Sequence, residues 1–260
     1  MKTLHLAVCL YLLLINTAVY ADDLVFIPSL NFFNYKEFNT SGVLLDEEVG
    51  LLPGIKIKYR YQNNILKVSP FMSMHEGKVN YYGNTQSGSP HNTETDTQLL
   101  TIGLDIGLQV LDQVEFTSGL RNSQWDRDIL TRNNIRGLHE IYTWTELSAG
   151  LLYKSEDLNK SYYSLNLSVL YILQPEMKIY LENSSEILSL GERPGARMIF
   201  SKLWALQDNS LRLNLITEYW KFGRSNTVFT NDFFGSSVFI TEPESESLHT
   251  RVELVYGSSF

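Results

Sequence analysis

The chain has 260 residues, and its 29 acidic side chains outnumber its 21 basic ones, so the formal net charge is −8. This charge argues against a nucleic-acid partner, because binding a phosphate backbone needs a basic surface. Aromatic residues make up 12% of the chain and include 15 tyrosines, a composition that favours a protein built from many strands.

Residues 1–21 have the three parts of a secretory signal peptide. Lys2 supplies a positive charge, a run of apolar residues follows it, and Val19 and Ala21 stand at the two positions that a signal peptidase reads. The apolar run is too short to span a bilayer as a helix, which needs about 20 residues. We therefore expect cleavage after Ala21, leaving residues 22–260 as one exported domain.

The single cysteine, Cys9, lies inside this leader. Lipid modification of Cys9 is disfavoured because no complete apolar run precedes it. The exported domain is therefore expected to have no disulfide, no thiolate nucleophile and no cysteine ligand for a metal. No clustered spacing of histidine, aspartate and glutamate suggests a metal site, and no cofactor is implied.

Apolar and polar residues alternate with a period of two along much of the exported domain, which predicts β-strands with one apolar face. The clearest run is residues 99–110, and the pattern recurs at residues 49–61, 162–173, 211–219 and 252–256. Several runs reach about ten residues or more. That length matches the ~9–11 residues with which a tilted strand crosses a bilayer, whereas an average strand has about 5–6.

The apolar faces are compatible with two folds. In a soluble β-sandwich they pack inward, whereas in an outer-membrane barrel they meet lipid and the polar faces line the lumen. Strand length favours the barrel, as do the small and charged residues that share one face at Gly103, Asp105 and Gly107. Aromatic residues also lie towards the ends of the runs, where interfacial girdles occur. They are Phe32, Phe33, Tyr35, Tyr59, Tyr61, Tyr81, Tyr82, Trp125, Tyr153, Tyr219 and Trp220.

The C-terminal residues carry a more specific pattern. Val252, Leu254 and Tyr256 alternate along the last run, and Phe260 is the final residue. This ending resembles the closing strand of Gram-negative outer-membrane β-barrel proteins, although Ser258 stands where a large apolar residue is commoner. The resemblance implies an outer-membrane location, contact with outer-membrane lipid, a monomer, and reading of the terminal aromatic residue by the barrel-assembly machinery. It identifies no narrower subfamily.

We predict an all-β fold, a transmembrane antiparallel up-and-down barrel of about twelve strands. The strands are residues 24–38, 48–61, 64–76, 97–110, 113–124, 138–153, 161–173, 176–187, 195–206, 210–223, 233–241 and 248–260. The predicted outer loops of the first half are residues 39–47, 77–96 and 126–137. This version places short links at residues 174–175 and 207–209 outside, where barrels usually have longer loops. A barrel of ten strands, with residues 224–247 as one long outer loop, is the alternative.

The polar faces of the predicted strands carry charges of both signs that are expected to line the lumen. They are Lys56, Lys58, Arg60, Asp105, Glu115, Arg121, Glu140, Glu146, Lys178, Glu182, Arg212, Glu218, Arg251 and Glu253. Unpaired buried charge costs several kcal/mol, so we expect these groups to pair and to leave the lumen plugged or narrowly open. The prediction is an integral outer-membrane barrel with a mixed-charge lumen and a structural role or a small-solute channel role.

Two other functions stay open. An outer-membrane lipid or peptide hydrolase needs a rim site, for which the candidates are His75 or His249 with Asp96, Asp126 or Asp128. We assign no catalytic residue, because no residues match the motifs of known barrel enzymes. A soluble periplasmic β-barrel that binds a ligand ranks last, since the long strands and the C-terminal pattern argue against it.

Overall fold

The computed structural model describes residues 23–84, 88–155, 161–181, 184–206, 209–231 and 236–258. The strands are β1 (Asp23–Phe38), β2 (Leu44–Gln62), β3 (Leu66–Asn84), β4 (Pro90–Leu111), β5 (Val114–Ile129), β6 (Leu138–Lys154), β7 (Tyr162–Tyr180), β8 (Ser185–Ser189), β9 (Pro194–Leu206), β10 (Asn209–Phe222), β11 (Val228–Asn231), β12 (Ser237–Ile240) and β13 (Glu244–Ser258). Within these residues no helix is long and apolar enough to cross a membrane. The predicted signal peptide, Glu182 and Phe260 lie outside the described residues.

Ten strands close an antiparallel barrel: β1 to β7, β9, β10 and β13. β1 pairs with β2 on one side and with β13 on the other, which joins the first and last strands of the wall. The predicted antiparallel barrel is confirmed, and the ten-stranded alternative is correct whereas the count of twelve is wrong. An even number of strands puts the start of β1 and the end of β13 at the same end of the barrel, and the short turn at residues 112–113 is typical of the periplasmic end of such barrels.

One surplus predicted strand arises at Gln174 and Pro175, where the sequence suggests a link between two strands. The chain does not turn there, because β7 runs through both residues without interruption. Gln174 adopts a positive φ of 46°, and the pairing of β7 with β6 shifts register close by. This irregularity exchanges the two faces of the strand. Met177 and Ile179 are therefore buried inside the barrel. Lys178 lies on the outer face, so its predicted position in the lumen is wrong.

β8 and β9 both pair antiparallel with β7 and follow each other along it from its outer end towards its inner end. Both keep the same register with it, since Ser189 lies opposite Glu176 and Pro194 lies opposite Tyr171. Residues 190–193 interrupt this path. Because β7 is one strand, β9 descends to the inner end of the barrel. The short link from β9 to β10 is then periplasmic, which is the usual arrangement in such barrels.

The second surplus strand belongs to the outer loop that joins β10 to β13. Residues 237–240 pair with residues 228–231 as a short hairpin outside the barrel sheet. Residues 233–235 of the predicted strand lie outside the described residues. The structure therefore agrees with the alternative of one long outer loop here. We call residues 223–243 the cap loop.

Three predicted outer loops are shorter in the structure, because the strands continue past the point where the alternation ends. β2 begins at Leu44, β3 ends at Asn84, β4 begins at Pro90 and β5 ends at Ile129. Much of the predicted loops 39–47, 77–96 and 126–137 is therefore strand. These added strand residues include Asp46 and Arg127, whose side chains are buried in the lumen.

Large apolar side chains cover the outward faces of the strands over their inner and middle parts. Examples are Phe26, Ile55, Ile102, Leu120, Leu151, Leu167, Phe200, Leu215 and Leu254. Nearer the outer ends the outward faces are polar, and Lys78 pairs there with Glu94 and Asp96. The apolar belt marks the lipid-facing zone, so the barrel wall extends beyond the membrane on its outer side.

A charge placed in the apolar belt tests this assignment. Leu167→Arg is expected to lower the free energy of unfolding by about 2–4 kcal/mol, because the side chain is lipid-facing at mid-belt. The matched control is Asn80→Arg, an exposed outward-facing residue of the polar outer zone. Urea titration of the protein refolded in lipid vesicles, with unheated gel mobility as the folded-state signal, measures both. Equal destabilisation by the two variants would contradict the position of the belt.

Candidate functional site

The outermost layer of the lumen is a cluster of buried charges, which we call the outer charge cluster. It consists of Arg127 and five carboxylates, Glu37, Asp46, Glu48, Glu140 and Glu242. The Arg127 side chain is only 2% exposed, its Nε donates to Glu48 at 2.7 Å, and its Nη1 donates to Glu140 at 2.6 Å. Nη1 also lies 3.1 Å from Glu37, and Nη2 lies 3.9 Å from Asp46. The cluster joins β1, β2, β5, β6 and the cap loop.

Glu242 attaches the cap loop to this cluster. Its carboxyl group accepts hydrogen bonds from the hydroxyls of Tyr142, at 2.6 Å, and Tyr35, at 3.4 Å. Burial, together with the nearby charges of Glu37 and Glu140, raises the pKa of Glu242 well above its ordinary value. The cap loop is therefore held by a carboxyl group that keeps its proton more readily than a free glutamate.

Negative groups outnumber positive ones in the outer charge cluster. Tyr81 donates to Asp46 at 3.3 Å and Thr95 donates to Glu48 at 3.0 Å, which satisfies one oxygen of each carboxylate. Among the described residues, Asp46 Oδ1, Glu48 Oε2 and Arg127 Nη2 are buried without a hydrogen-bond partner. One guanidinium does not neutralise five carboxylates. Burial therefore disfavours ionisation of all five carboxyl groups at once.

Large aromatic rings fill the lumen below the outer charge cluster, and we call them the aromatic plug. They are Phe33, Tyr35, Trp125, Tyr142, Trp144, Trp220 and Phe222. Trp125 stacks on Tyr142 with ring centroids 4.8 Å apart. Val228 and Ile240 of the cap loop pack against the same group of residues. The cap loop is thus joined to the barrel by apolar contacts as well as by Glu242.

The lumen next contains a balanced set of ion pairs, which we call the central charge network. It consists of Arg121, Arg197, Arg251, Glu146, Glu218 and Glu253. Arg197 contacts Glu218 and lies 2.6 Å from Glu146. Arg121 lies 3.2 Å from Glu218. Three arginines face three carboxylates, so this layer neutralises itself, as buried charge requires.

Below the network the lumen widens into a cavity of about 550 Å³, which we call the inner chamber. It is lined at its inner end by Gln62 and Tyr162, and its upper wall is the central charge network. Six further basic side chains line it: Lys56, Lys58, Arg60, Lys67, Lys154 and Arg212. The chamber has the size of a small-molecule site and lies at the depth of the lipid-facing belt.

The charges that the sequence assigns to the lumen divide between these layers. Eleven of them line the inner chamber or form the central charge network: Lys56, Lys58, Arg60, Asp105, Glu115, Arg121, Glu146, Arg212, Glu218, Arg251 and Glu253. Glu140 lies apart from them, in the outer charge cluster. At the C-terminus, Val252, Leu254 and Tyr256 are exposed on the outer face of β13.

Sequence reasoning missed most of the outer charge cluster and Arg197. Arg127 lies three residues beyond the predicted end of its strand at residue 124. It has the same position in the alternation as Arg121, on the inward face. Extending the alternation by those residues would have found it. Arg197 shares its inward face with the apolar residue Ile199, so no run of polar residues marked that face. Glu37 is the penultimate residue of β1, just before the predicted outer loop, and Asp46 lies within that loop.

The histidines and aspartates of the predicted rim site lie on opposite sides of the barrel wall. His75 and His249 face the lumen, where His75 Nε2 lies 2.8 Å from Ser29 Oγ. Asp126 faces outward and pairs with His139 at 2.9 Å. Asp96 and Asp128 are likewise on the outer face, so the structure does not bring the candidate residues together. Within the described residues, no group of histidine, cysteine, aspartate and glutamate side chains is arranged to hold a metal ion.

Comparison with solved structures shows which proteins share this fold. No family model and no curated protein sequence matches the chain. The outer-membrane protease OmpT from Escherichia coli is similar over 94% of this chain and 99% of its own, with a TM-score of 0.50 and 10% identity. The translocator domain of the autotransporter NalP from Neisseria meningitidis has a TM-score of 0.48 and 10% identity over 98% of this chain and 94% of its own. The Pseudomonas putida toluene transporter TodX has a TM-score of 0.40 and 8% identity over 94% of this chain and 91% of its own.

The fold is that of an integral-membrane β-barrel. Its closed wall and lipid-facing belt are those of a transmembrane β-barrel, and its fold is that of Gram-negative outer-membrane β-barrel proteins. At 10% identity the likeness to OmpT shows the fold alone. The solved structures therefore do not identify the specific role of this protein, which has to be argued from the side chains of the lumen.

Removing the one cation of the outer charge cluster tests its importance for folding. Arg127→Met is expected to lower the free energy of unfolding by about 3–5 kcal/mol, because it leaves buried carboxylates without a counter-charge. Arg132→Met is the control, since Arg132 is exposed on an outer loop and donates to the Asn92 carbonyl at 3.0 Å. The measurement is urea unfolding in lipid vesicles. Similar stability of the two variants would show that Arg127 does not hold the layer together.

Proposed function

We propose that this protein is a small-solute channel whose outer end is closed in the conformation described above. The observation that carries the proposal is the order of the layers in the lumen. A cavity of about 550 Å³ at membrane depth is sealed on its outer side by the aromatic plug and the outer charge cluster. A solute that enters from the periplasm reaches this cavity and stops there until the outer layers move.

The outer layers have the properties of a gate. A permanent plug would be expected to have balanced charges, as the central charge network does, whereas the outer charge cluster has five carboxylates around Arg127. Buried charge of one sign favours any movement that separates or hydrates it. The cap loop supplies one of these carboxylates, Glu242, and it is the part of the cluster that is not a strand of the barrel. Outward movement of the cap loop is therefore the opening motion we infer.

A permanently closed barrel with a structural role is the second candidate. The central charge network favours it, because Arg121 of β5 pairs with Glu218 of β10 across the lumen. Opening of the cap loop alone would then leave the lumen blocked. Conductance measurements distinguish the two candidates.

Detaching the cap loop is expected to open the channel. Glu242→Ala removes the hydrogen bonds from Tyr142 and Tyr35, so the open probability in planar lipid bilayers is expected to rise at least several-fold above that of the unmodified protein. Glu244→Ala is the matched control, because Glu244 is exposed and is the first residue of β13, directly after the cap loop. If neither variant conducts, the structural role is favoured over the channel.

The same contact predicts a dependence on pH. The pKa of Glu242 is raised when the cap loop is docked, so docking is fully stabilised below the ordinary glutamate pKa and weakens as pH rises through the raised value. Open probability is therefore expected to increase from mildly acidic to alkaline solution. Glu242→Gln keeps a hydrogen-bond acceptor without the charge and is expected to flatten this dependence. A steeper or reversed dependence in Glu242→Gln would rule out Glu242 as the responding group.

A further inference from the structure

The wall of the inner chamber carries more positive than negative groups. Nine basic side chains line it: Lys56, Lys58, Arg60, Lys67, Arg121, Lys154, Arg197, Arg212 and Arg251. Only four carboxylates line it with them, Asp105, Glu115, Glu218 and Glu253. Even if Glu146, which pairs with Arg197 from the layer above, is added to the acidic side, the basic groups remain in excess. The chamber is therefore positive although the chain as a whole is acidic.

Each of these carboxylates is already shared between several basic groups. Glu115 contacts both Lys67 and Lys154. Asp105 lies 3.1 Å from Lys58 and 3.2 Å from Arg121. Since one carboxylate neutralises one unit of positive charge, the sharing leaves net positive charge on the chamber wall. A ligand with its own negative charge would complete the pairing.

Arg212 has room for such a ligand. Its Nη2 lies 3.3 Å from the hydroxyl of Tyr162, and it has no carboxylate partner among the described residues. The Nε atoms of Arg121 and Arg251 lie instead 3.7 Å from Glu146 and 3.2 Å from Glu253. A guanidinium presents parallel N–H groups that match the two oxygens of a carboxylate. The guanidinium of Arg212 at the chamber wall therefore favours an anion that supplies oxygens.

Part of the chamber wall is apolar. Val25 and Ile27 of β1 and Val255 of β13 form one group of buried apolar residues there, and Val255 pairs with Arg212 in the sheet. The chamber volume lies within the range of small-molecule sites, which are mostly apolar with a few fixed polar groups. A ligand with an apolar body and one charged end therefore fits the wall better than a small inorganic ion.

We propose that the inner chamber binds an organic carboxylate with an apolar body, its charged end towards Arg212 and its apolar body against Val25, Ile27 and Val255. The proposal deepens the proposed function by assigning the solute class, and it rests on the chamber being a solute site. Binding does not require the outer gate to open, so it is measured separately from conductance.

The test uses the full exported chain in lipid nanodiscs with three matched fluorescent probes. They are 2-naphthoate, the neutral 2-naphthalenemethanol and the cationic 2-naphthylmethylamine. We expect saturable binding of the carboxylate that weakens with added salt, and binding of the other two at the level of empty nanodiscs. Equal binding of the alcohol, or tighter binding of the amine, would overturn the proposal.

Arg212→Gln is expected to weaken naphthoate binding about ten- to hundredfold, since a hydrogen bond to a charged group is lost. Arg212→Lys keeps the charge and is expected to recover part of the affinity. Lys78→Gln, on the exposed outer face of the barrel, is the control for loss of one positive charge. Unheated gel mobility shows that each variant is folded. Unchanged affinity in folded Arg212→Gln, or a loss in Lys78→Gln equal to that in Arg212→Gln, would overturn the assigned position.

The channel proposal and the carboxylate-binding proposal can fail independently, and each failure gives a different result. Carboxylate binding without conductance in Glu242→Ala would keep the chamber site and reject the channel. Conductance in Glu242→Ala that is selective for cations, with no naphthoate binding, would keep the channel and reject the anion site. Loss of both would leave a closed structural barrel.

Discussion

Burial of the Arg127 guanidinium is the constraint on which the outer half of the barrel depends. A buried charge without partners costs several kcal/mol, so the strands that supply its carboxylates must keep one register with β5 for the layer to exist. The same guanidinium lies 5.0 Å from the ring of Tyr35 and 5.6 Å from the ring of Trp125. These contacts couple the charge to the aromatic plug. The polar and apolar layers therefore stabilise each other, and neither is expected to form alone.

The lumen separates its charges along the membrane normal, with acid at the outer end, balance in the middle and base at the inner end. An anion that enters from the periplasm is attracted as far as the central charge network, and beyond it meets the repulsive field of the outer carboxylates. A cation that enters from the periplasm is repelled by the inner chamber and, beyond the central charge network, is attracted by the outer carboxylates. This arrangement favours retention of an anion over its free passage, and it makes movement of the cap loop, which carries Glu242, the step that would change the barrier.

The sequence was sufficient to predict the barrel, because lipid imposes alternation along every strand and the runs were long. It was insufficient for the strand count, because Gln174 and Pro175 have the composition of a turn and only the pairing with β6 shows that the strand continues. Pairs such as Lys58 with Asp105 were not predictable, since the partners lie on strands that are not adjacent in the sheet. Parity along a strand identifies the face of a residue, whereas its partner depends on closure of the barrel.

The length of the strands explains why the outer charge cluster, which is part of the proposed gate, lies above the lipid belt. The ten barrel strands have 13 to 22 residues, whereas a bilayer crossing needs about 9–11. The additional residues raise the outer charge cluster above the lipid belt, where the hydroxyls of Tyr35 and Tyr142 meet a loop that has water on its other side. Protons reach Glu242 there without crossing the hydrocarbon layer. The inner chamber, at the depth of the lipid, is reached from the periplasmic end, so the charge proposed to control closure and the charge proposed to hold a solute are in contact with different compartments.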